Sequence, residues 1–447
     1  MQILQSFQNI FKIPELRTRI LWTFGLLVVF RLGTHIPLPG VNPEGIKVWA
    51  DDLTRQGGGD LYGMLQVFTG GGFLNLALFS LGIMPYITAS IIMQLMTKVS
   101  PNLEAIAKEG PSGQRKIQQY TRYAAIPVCI VQGFFAARQL VDWSQGQLQQ
   151  GKVALLTEHH FGNVLLLMLG MTGGALFIMW LGEQITERGI GNGASVLIMA
   201  GIVARLPATL GEMIEKSREG SVSADSIVFI LVVYLASIVG IVFVTQAQRR
   251  IPLQHAKHIR GRRMMTGGRN FLPMRVNTAG VMPVIFASSL LIIPSLLGMI
   301  PGLGFLKDIF QRGWFFYSVF YITTIVFFSY FWTYLFMRPD EIALQLKESG
   351  SFVPGIRPGE NTASYLNQIL SRITLCGAAF LCIIALLPDL IAAGLKVDRF
   401  LVSFLGGTGV LIVVGVGLDI IQKIESYLLM HHYGGFLGPG SAIRGRR

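Results

Sequence analysis

Few residue patterns in this sequence could carry out chemistry. The tetrapeptide GPSG at 110–113 matches the short GxSG motif of intramembrane serine proteases. It lies in the charged segment KEGPSGQRK, no histidine lies in a neighbouring apolar segment, and a four-residue pattern recurs easily by chance. The segment GVGLD at 415–419 lacks the adjacency that an aspartyl protease motif needs, and the sequence contains no GxxxxGK loop to cradle a phosphate. We therefore predict a protein that is not an enzyme, hydrolyses no nucleotide and takes its energy from a partner or from the proton-motive force.

Metal and redox chemistry have equally little support. The cysteines lie in apolar runs without CxxC spacing, so we predict that they are buried and form no disulfide framework; they are Cys129, Cys376 and Cys382. The histidines show no zinc-ligand spacing; they are His35, His159, His160, His255, His258, His431 and His432. No metal site and no cofactor are predicted.

The composition points to a membrane protein. Hydrophobic residues make up 51% of the 447 residues, and charged residues make up 14%, against about 25% in soluble chains. The 29 phenylalanines and 17 methionines add large apolar side chains that few charges could shield from water. We predict an integral membrane protein.

The hydropathy pattern predicts ten transmembrane helices, since about 20 apolar residues cross the hydrocarbon. The predicted spans are 19–37, 75–97, 122–141, 161–182, 189–206, 227–247, 278–299, 315–337, 370–388 and 400–422. Residues 1–18 mix polar and apolar side chains around Pro14, which suits a short interfacial helix.

The distribution of positive charge sets the orientation. Both termini lie on one side, because the number of spans is even. That side carries 25 of the 37 Lys and Arg residues, of which eight lie in the segment 248–277, which has no acidic residue. The positive-inside rule places both termini in the cytoplasm.

The apolar stretch 61–97 is too long for one crossing, since a single helix of this length would extend about 55 Å. It is broken at Gly70-Gly71-Gly72. The piece before the break, LYGMLQVFTG at 61–70, has the length of a re-entrant or plug segment. Irregular backbone at membrane depth requires shielding by protein or a water-filled cavity, so the break itself predicts a cavity. A helix in an outer surface loop is the alternative.

A second glycine cluster lies at 188–193, RGIGNG, where the fifth span begins. Glycines there either weaken the start of the helix or let two backbones approach closely. The spacing alone leaves both interpretations open.

Ionisable residues are scarce inside the spans. The interiors of spans two, four, seven and eight have no Asp, Glu, Lys or His, and Arg31, His35, Asp389 and Asp419 lie toward span ends. A coupled transporter of small solutes, the main rival class, usually needs buried charges as a relay. The sequence offers a path lined by Ile, Met, Ser, Thr and Asn instead.

Four segments resemble the SecY family, whose members form the pore of the bacterial protein-conducting channel. They are LGIMPYITASI at 81–91, GEQITERGIGNG at 182–193, NTAGVMPVIFASS at 277–289 and FVPGIRPG at 352–359. The match runs in order along nearly the whole chain.

The resemblance implies an all-α integral membrane protein of ten transmembrane helices in two inverted five-helix halves around a central pore, with a re-entrant plug helix. The implied domains are a cytoplasmic N-terminus 1–18, a first half 19–206 with the plug at 61–72, an external hinge loop 207–226, a second half 227–422 and a cytoplasmic tail 423–447.

The resemblance also implies site residues. A pore ring of apolar side chains would block ions by dewetting; its members are Ile83, Ile87, Ile190, Ala194, Ile285 and Ile412. Ala194 departs from the bulkier aliphatic residue that the family often has there. A lateral gate would use polar side chains, each of which has a hydrogen bond within its own helix as the alternative; they are Thr88, Gln94, Gln132 and Asn277.

The basic segment 248–277 is implied to dock the ribosome and the motor ATPase SecA, with membrane anchoring as the alternative. Its docking residues are Arg249, Arg250, Lys257, Arg260, Arg262 and Arg263. Arg357, on a Pro- and Gly-rich turn, is implied to engage SecA, or else is an ordinary surface arginine. Further implied partners are the SecE and SecG subunits, signal sequences, nascent chains and lipid, and the implied location is the bacterial cytoplasmic (inner) membrane.

Overall fold

The structure is a computed structural model that describes residues 13–46, 48–49, 69–149, 155–156, 161–220, 223–255, 258–260, 263–265, 269–297, 309, 315–395 and 407–436. Its helices, in chain order, are α1 (Pro14–Gly33), α2 (Met84–Val99), α3 (Pro101–Lys108), α4 (Pro111–Gln149), α5 (Phe161–Arg188), α6 (Gly193–Arg218), α7 (Ala224–Gln246), α8 (Met282–Leu297), α9 (Phe315–Phe336), α10 (Pro339–Glu348), α11 (Glu360–Leu395) and α12 (Thr408–Phe436). Its strands are β1 (Gln248–His255), β2 (His258–Arg260), β3 (Arg263–Met265), β4 (Arg269–Arg275) and β5 (Ser351–Phe352).

Each of the ten predicted spans overlaps one helix. Within the described residues, six helices are long and apolar enough to cross a membrane: Pro111–Leu148, Phe161–Arg188, Gly193–Arg218, Asp225–Gln246, Phe315–Glu348 and Glu360–Leu395. The helix over Met282–Leu291 is apolar but shorter. The chain is a multi-pass membrane protein.

Two compact units form along the chain. The first comprises Met1–Glu212 and Val416–Arg447, and the second comprises Met213–Gly415. In the first unit α4 packs against both α2 and α5, and α1 packs against α5.

The second predicted span begins later than expected. The hydropathy places its start at residue 75, whereas α2 begins at Met84 and residues 70–83 form consecutive turns. Leu76 has a φ of +43° and Gly82 a φ of +60°, values that no α-helix accommodates. Hydropathy could not reveal this difference, because an apolar run has the same hydropathy whether it forms turns or a helix.

Main-chain pairing stabilises this run of turns. The Leu38 amide donates to the Leu76 carbonyl (2.9 Å), and the Leu78 amide donates to the Ile36 carbonyl (2.8 Å). Leu76 is fully buried. The irregular backbone is therefore shielded by protein, as such backbone must be within a membrane.

Aromatic packing holds the turns at 70–83 against α1 and α5. Phe79 lies between Phe30 of α1 and Phe177 of α5, with ring centroids at 6.2 and 5.9 Å. Gly33 makes room for it, since a Cβ atom there would lie 2.0 Å from the Phe79 ring. Span two is thus attached to spans one and four before its helix begins.

Residues 61–68 of the predicted plug lie outside the described residues, and the description resumes at Thr69. The Arg31 guanidinium donates to the Gly70 carbonyl (3.1 Å). A Cβ atom at Gly70 would lie 2.9 Å from the Gly201 Cα atom of α6. The glycine break therefore lies tightly between α1 and α6.

The described part of the second unit contains a three-stranded sheet and a separate two-stranded sheet. β1 pairs antiparallel with β4 and with β5, and β2 pairs antiparallel with β3. The predicted basic loop is thus a β-ribbon over much of its length. Ile251 and Leu253 of β1 pack against Leu366 and Ile369 of α11, which attaches the ribbon to that helix.

Aromatic side chains join the helices of the second unit. Phe286 of α8 contacts Phe328 and Trp332 of α9, with ring centroids at 5.7 and 5.1 Å. In α11 Cys382 is buried, as predicted, but Cys376 is exposed. The prediction for Cys376 was wrong because this helix is apolar on every face. The sequence therefore does not show which face is buried.

Candidate functional site

The ends of α5 and α6 cross at two glycines. A Cβ atom at Gly193 would lie 1.7 Å from the Gly182 carbonyl oxygen. Thr186 satisfies both backbones, since its hydroxyl donates to the Gly182 carbonyl (2.9 Å) and accepts from the Gly193 amide (2.8 Å). Of the two interpretations of the 188–193 glycine cluster, this geometry supports the close approach of backbones.

Two predicted ring residues meet at this crossing. A Cβ atom at Gly182 would lie 3.6 Å from both the Ile83 Cδ1 atom and the Ala194 amide nitrogen. Ile83 is 2% exposed, and Ile87, one turn further along α2, is 8% exposed. Ala194, the departure from the family pattern, is half-buried. The first unit therefore brings Ile83 next to the start of α6.

Ile190 lies in the turn between α5 and α6. Its side chain is buried, and its neighbour Gly191 has a φ of +98°, a conformation that favours glycine. The Gly189 amide donates to the Ile185 carbonyl (2.8 Å). Contacts from α1 complete the turn, through Arg19 and Thr23, two residues that the sequence analysis did not select.

The second unit contains the remaining two ring positions. Ile285 on α8 is 3% exposed and Ile412 on α12 is fully buried. α8 and α12 approach closely beside them, since a Cβ atom at Gly415 would lie 3.1 Å from Val281. The ring as a set of six stays a prediction.

The predicted gate residues occupy several helices. The Thr88 hydroxyl donates to the Met84 carbonyl (3.1 Å), and the Gln94 amide donates to the Ser90 hydroxyl (2.9 Å), both within α2. Gln132 on α4 and Asn277, in the turn before α8, are half-buried. The bonds of Thr88 and Gln94 agree with the local alternative, and a role in a gate stays a prediction.

An ion pair that the sequence analysis did not find joins α4 to α5. Arg122 donates through Nε to a Glu183 carboxylate oxygen, and the Glu183 side chain is 8% exposed while that of Arg122 is 37% exposed. Both residues flank predicted spans, so their types could have suggested a pair. Their separation of 61 residues hides it from any local pattern.

Some of the residues predicted to dock partners lie within the described part of the basic segment. Arg249 and Arg250 are exposed on β1. Arg260 and Arg263 face each other as main-chain partners in β2 and β3. Lys257 and Arg262 lie outside the described residues.

Arg357 is exposed on a firmly held turn. Val353, before it, is buried against α11, and the Thr362 hydroxyl donates to the Arg357 carbonyl (2.9 Å). Gly355 and Gly359 have φ values of +83° and +108°. The turn therefore presents the guanidinium outward on a rigid backbone.

The candidate catalytic serine, Ser112, has a main-chain carbonyl as a hydrogen-bond partner. The Ser112 hydroxyl lies at the exposed start of α4 and donates to the Glu109 carbonyl (3.3 Å). In the described part of the chain, no group of three or more His, Cys, Asp and Glu side chains is arranged to hold a metal.

Comparison with known proteins places the chain in a family. The family model described as SecY matches residues 77–421, which is most of the chain. The chain belongs to the SecY family. Among its relatives, the protein translocase subunit SecY of Thermotoga maritima is 41% identical over 447 residues, covering 99% of this chain and 100% of the relative. The protein translocase subunit SecY of Mycobacterium tuberculosis is 43% identical over 453 residues, covering 97% and 100%.

Solved structures have the same fold as this SecY family member. A protein-conducting channel matches with a TM-score of 0.62 at 18% identity, covering 98% of this chain and 99% of the other. Sec61 in the canine ribosome-channel complex matches with a TM-score of 0.58 at 16% identity, covering 96% and 95%. At these identities the likeness establishes the fold.

Proposed function

We propose that this chain is the pore subunit of a protein-conducting channel that moves signal-bearing unfolded polypeptides across the membrane and releases transmembrane segments sideways into lipid. The observation that carries the proposal is the burial of uncharged aliphatic side chains at the glycine-lined starts of α2 and α6, in a chain whose relatives are named translocase subunits. Ile83, Ile87 and Ile190 are such residues in the first unit.

The proposed ring works by excluding water. An apolar constriction gives an ion no partner to replace its hydration shell, so ions stop while an unfolded chain can thread through. Ile83, Ile87, Ile190, Ala194, Ile285 and Ile412 are its proposed members. The small Ala194 would leave one part of the seal looser than an isoleucine would.

The proposed gate opens between spans two and three on one side and seven and eight on the other. Polar contacts between membrane helices are weak, about 0.6 kcal/mol on average, so an apolar signal helix can displace them. Burial of that helix in lipid contributes about 25 cal/mol per Å² of apolar area. Two inverted halves of five spans, a plug at 61–72 and a hinge at 207–226, of which residues 207–218 belong to α6, complete this proposal.

The proposed partners follow from exposed charge. SecA and the ribosome would bind the basic ribbon and Arg357, where Arg249 and Arg250 are exposed and Arg357 lies on a rigid turn. SecE and SecG would complete the assembly. We propose that the chain lies in the bacterial inner membrane with both termini in the cytoplasm, on the charge distribution of its loops.

Site-specific crosslinking of a stalled secretory chain tests the function. A photoreactive residue replaces one side chain at a time at Ile83, Ile190, Ile285 or Ile412, in membranes that hold a translocation intermediate. Each position should crosslink to the stalled chain, because all four would line its path.

A matched control uses apolar residues that are exposed on the helix surface. Leu169 of α5 and Ile383 of α11 are 58% and 61% exposed, and they should crosslink to lipid and not to the stalled chain. Equal labelling of the stalled chain from the buried and the exposed positions would contradict the proposed path.

A further inference from the structure

The turn that contains Ile190 depends on a hydroxyl from another helix. Residues 189–191 lie between α5 and α6. Within this turn the Ile190 amide donates to the Thr23 Oγ1 atom of α1, at 3.1 Å. Because Gly189 and Ile190 are buried, loss of this acceptor would leave a donor away from water without a partner.

The Thr23 hydroxyl is itself oriented by its own helix. It donates to the Arg19 carbonyl at 2.9 Å, which leaves its lone pairs directed toward Ile190. Hydroxyl groups can donate one and accept two hydrogen bonds, so both bonds form together. Valine has the same shape as threonine but neither capability.

Gly189 permits this contact. A Cβ atom there would lie 2.4 Å from the Thr23 Oγ1 atom and 2.6 Å from the Ile185 carbonyl oxygen. Any side chain at this position would push the turn away from α1. The second glycine of the turn, Gly191, lies beside α12, since a Cβ atom there would lie 3.4 Å from Ile420.

Arg19 attaches the same turn to a second helix. Its guanidinium donates to the Gly189 carbonyl (3.4 Å) and lies over the ring of Tyr427 on α12, 5.3 Å from the centroid. The turn therefore has contacts with α1 on one side and α12 on the other, independently of the helices that it joins.

We propose that Thr23 is a positioning residue for the channel seal, which holds Ile190 in the constriction by accepting its main-chain amide hydrogen. Arg19 supports it by binding the adjacent carbonyl. This inference rests on the proposed function, since it takes Ile190 to be a member of the ring. Loss of the hydroxyl would let the turn move and the seal loosen, with no change in any side chain of the ring itself.

The test compares three variants of the full chain in cells that depend on it: Thr23→Val, Thr23→Ser and Ile190→Ser. The measurement is the exported fraction of a reporter whose signal sequence carries a charge in its apolar core, relative to the amount of channel chain in the membrane. Thr23→Val should raise this fraction several-fold, as should Ile190→Ser. Thr23→Ser should leave it unchanged, because serine keeps the acceptor.

A second pair of variants keeps the test decisive if Thr23→Val fails to fold. Gly189→Ala should also raise export of the defective reporter, whereas Gly173→Ala, at an exposed α5 position with no heavy atom within 4 Å of the new Cβ atom, should not. If Ile190→Ser relaxes selection and neither Thr23→Val nor Gly189→Ala does, the role of Thr23 is refuted while the proposed function stands. If Ile190→Ser has no effect, the ring assignment of Ile190 fails, and the role of Thr23 fails with it.

Discussion

Gly193 at the start of α6 lies directly against the main chain of Gly182 on α5, so that a Cβ atom at Gly193 would lie 1.7 Å from the Gly182 carbonyl oxygen. This contact brings the start of α6, with Ala194, beside Ile83. Neither backbone can move away without breaking the hydrogen bonds that Thr186 makes to both residues.

Replacement of Gly193 by alanine should separate α5 from α6. We expect Gly193→Ala to lower the stability of the folded chain by about 1–3 kcal/mol, the usual effect of overpacking, seen as a lower thermal unfolding temperature in detergent. Gly211→Ala is the control on the same helix, since its Cβ atom would have no heavy atom within 4 Å. Equal unfolding temperatures for the two variants would contradict the close contact.

Removal of one member of the Arg122–Glu183 pair should cost more than removal of both. Arg122→Leu leaves the buried Glu183 carboxylate without its partner, which costs about 3–5 kcal/mol in a fully buried pair and less here, because Arg122 is partly exposed. The double variant Arg122→Leu/Glu183→Leu should recover much of that loss. Unfolding temperatures of the two single variants and the double variant measure the coupling, and strictly additive losses would exclude it.

A polar side chain at Ile412 should wet the proposed constriction. Ile412→Asn replaces a fully buried aliphatic side chain with one that binds water, so we expect greater ion leak and export of reporters with defective signals. Ion conductance of reconstituted channels and reporter processing are the measurements.

Two controls separate wetting from general damage. Ile412→Val keeps the position apolar and should preserve the seal, and Ile421→Asn places the same polar group at a position that is 52% exposed. If Ile412→Asn behaves like Ile412→Val, the residue does not line the constriction.

Charge reversal at Arg357 should abolish motor-driven export alone. The guanidinium is exposed and its backbone is held by Thr362, so Arg357→Glu changes a surface charge and leaves the packing intact. We expect a normal amount of chain in the membrane and a severe loss of export that depends on SecA. Lys347→Glu, an exposed cation on the neighbouring α10, is the control for net charge, and normal export in Arg357→Glu would refute the assignment.

The sequence was sufficient for the features that depend on local composition. A run of about 20 apolar residues favours a helix in lipid, because water is absent and a helix bonds its main-chain groups within the segment. Each predicted span accordingly overlaps a helix. Arg357 was likewise predictable, since prolines and glycines around it indicate an exposed turn from the sequence alone.

The tertiary structure decided which segments meet. Residues 75–83 are as apolar as the helix that follows, yet pairing of Leu76 and Leu78 with residues 36–38 makes them turns. Cys376 and Cys382 lie in one apolar helix, yet only Cys382 is buried. Hydropathy indicates how long a membrane segment is, but it does not indicate which face of the segment a neighbouring helix will cover.

The polar contacts between residues far apart in the sequence depended most on the fold. Thr23 and Ile190 are 167 residues apart, and Arg122 and Glu183 are 61 residues apart, so no local spacing could pair them. The sequence by itself determined that the chain enters a membrane and where its apolar segments lie. Only the packing of distant helices decided which hydroxyl accepts the hydrogen bond from the Ile190 amide. A hydrogen bond depends on the positions of its two atoms in space, and the packing of many residues sets those positions.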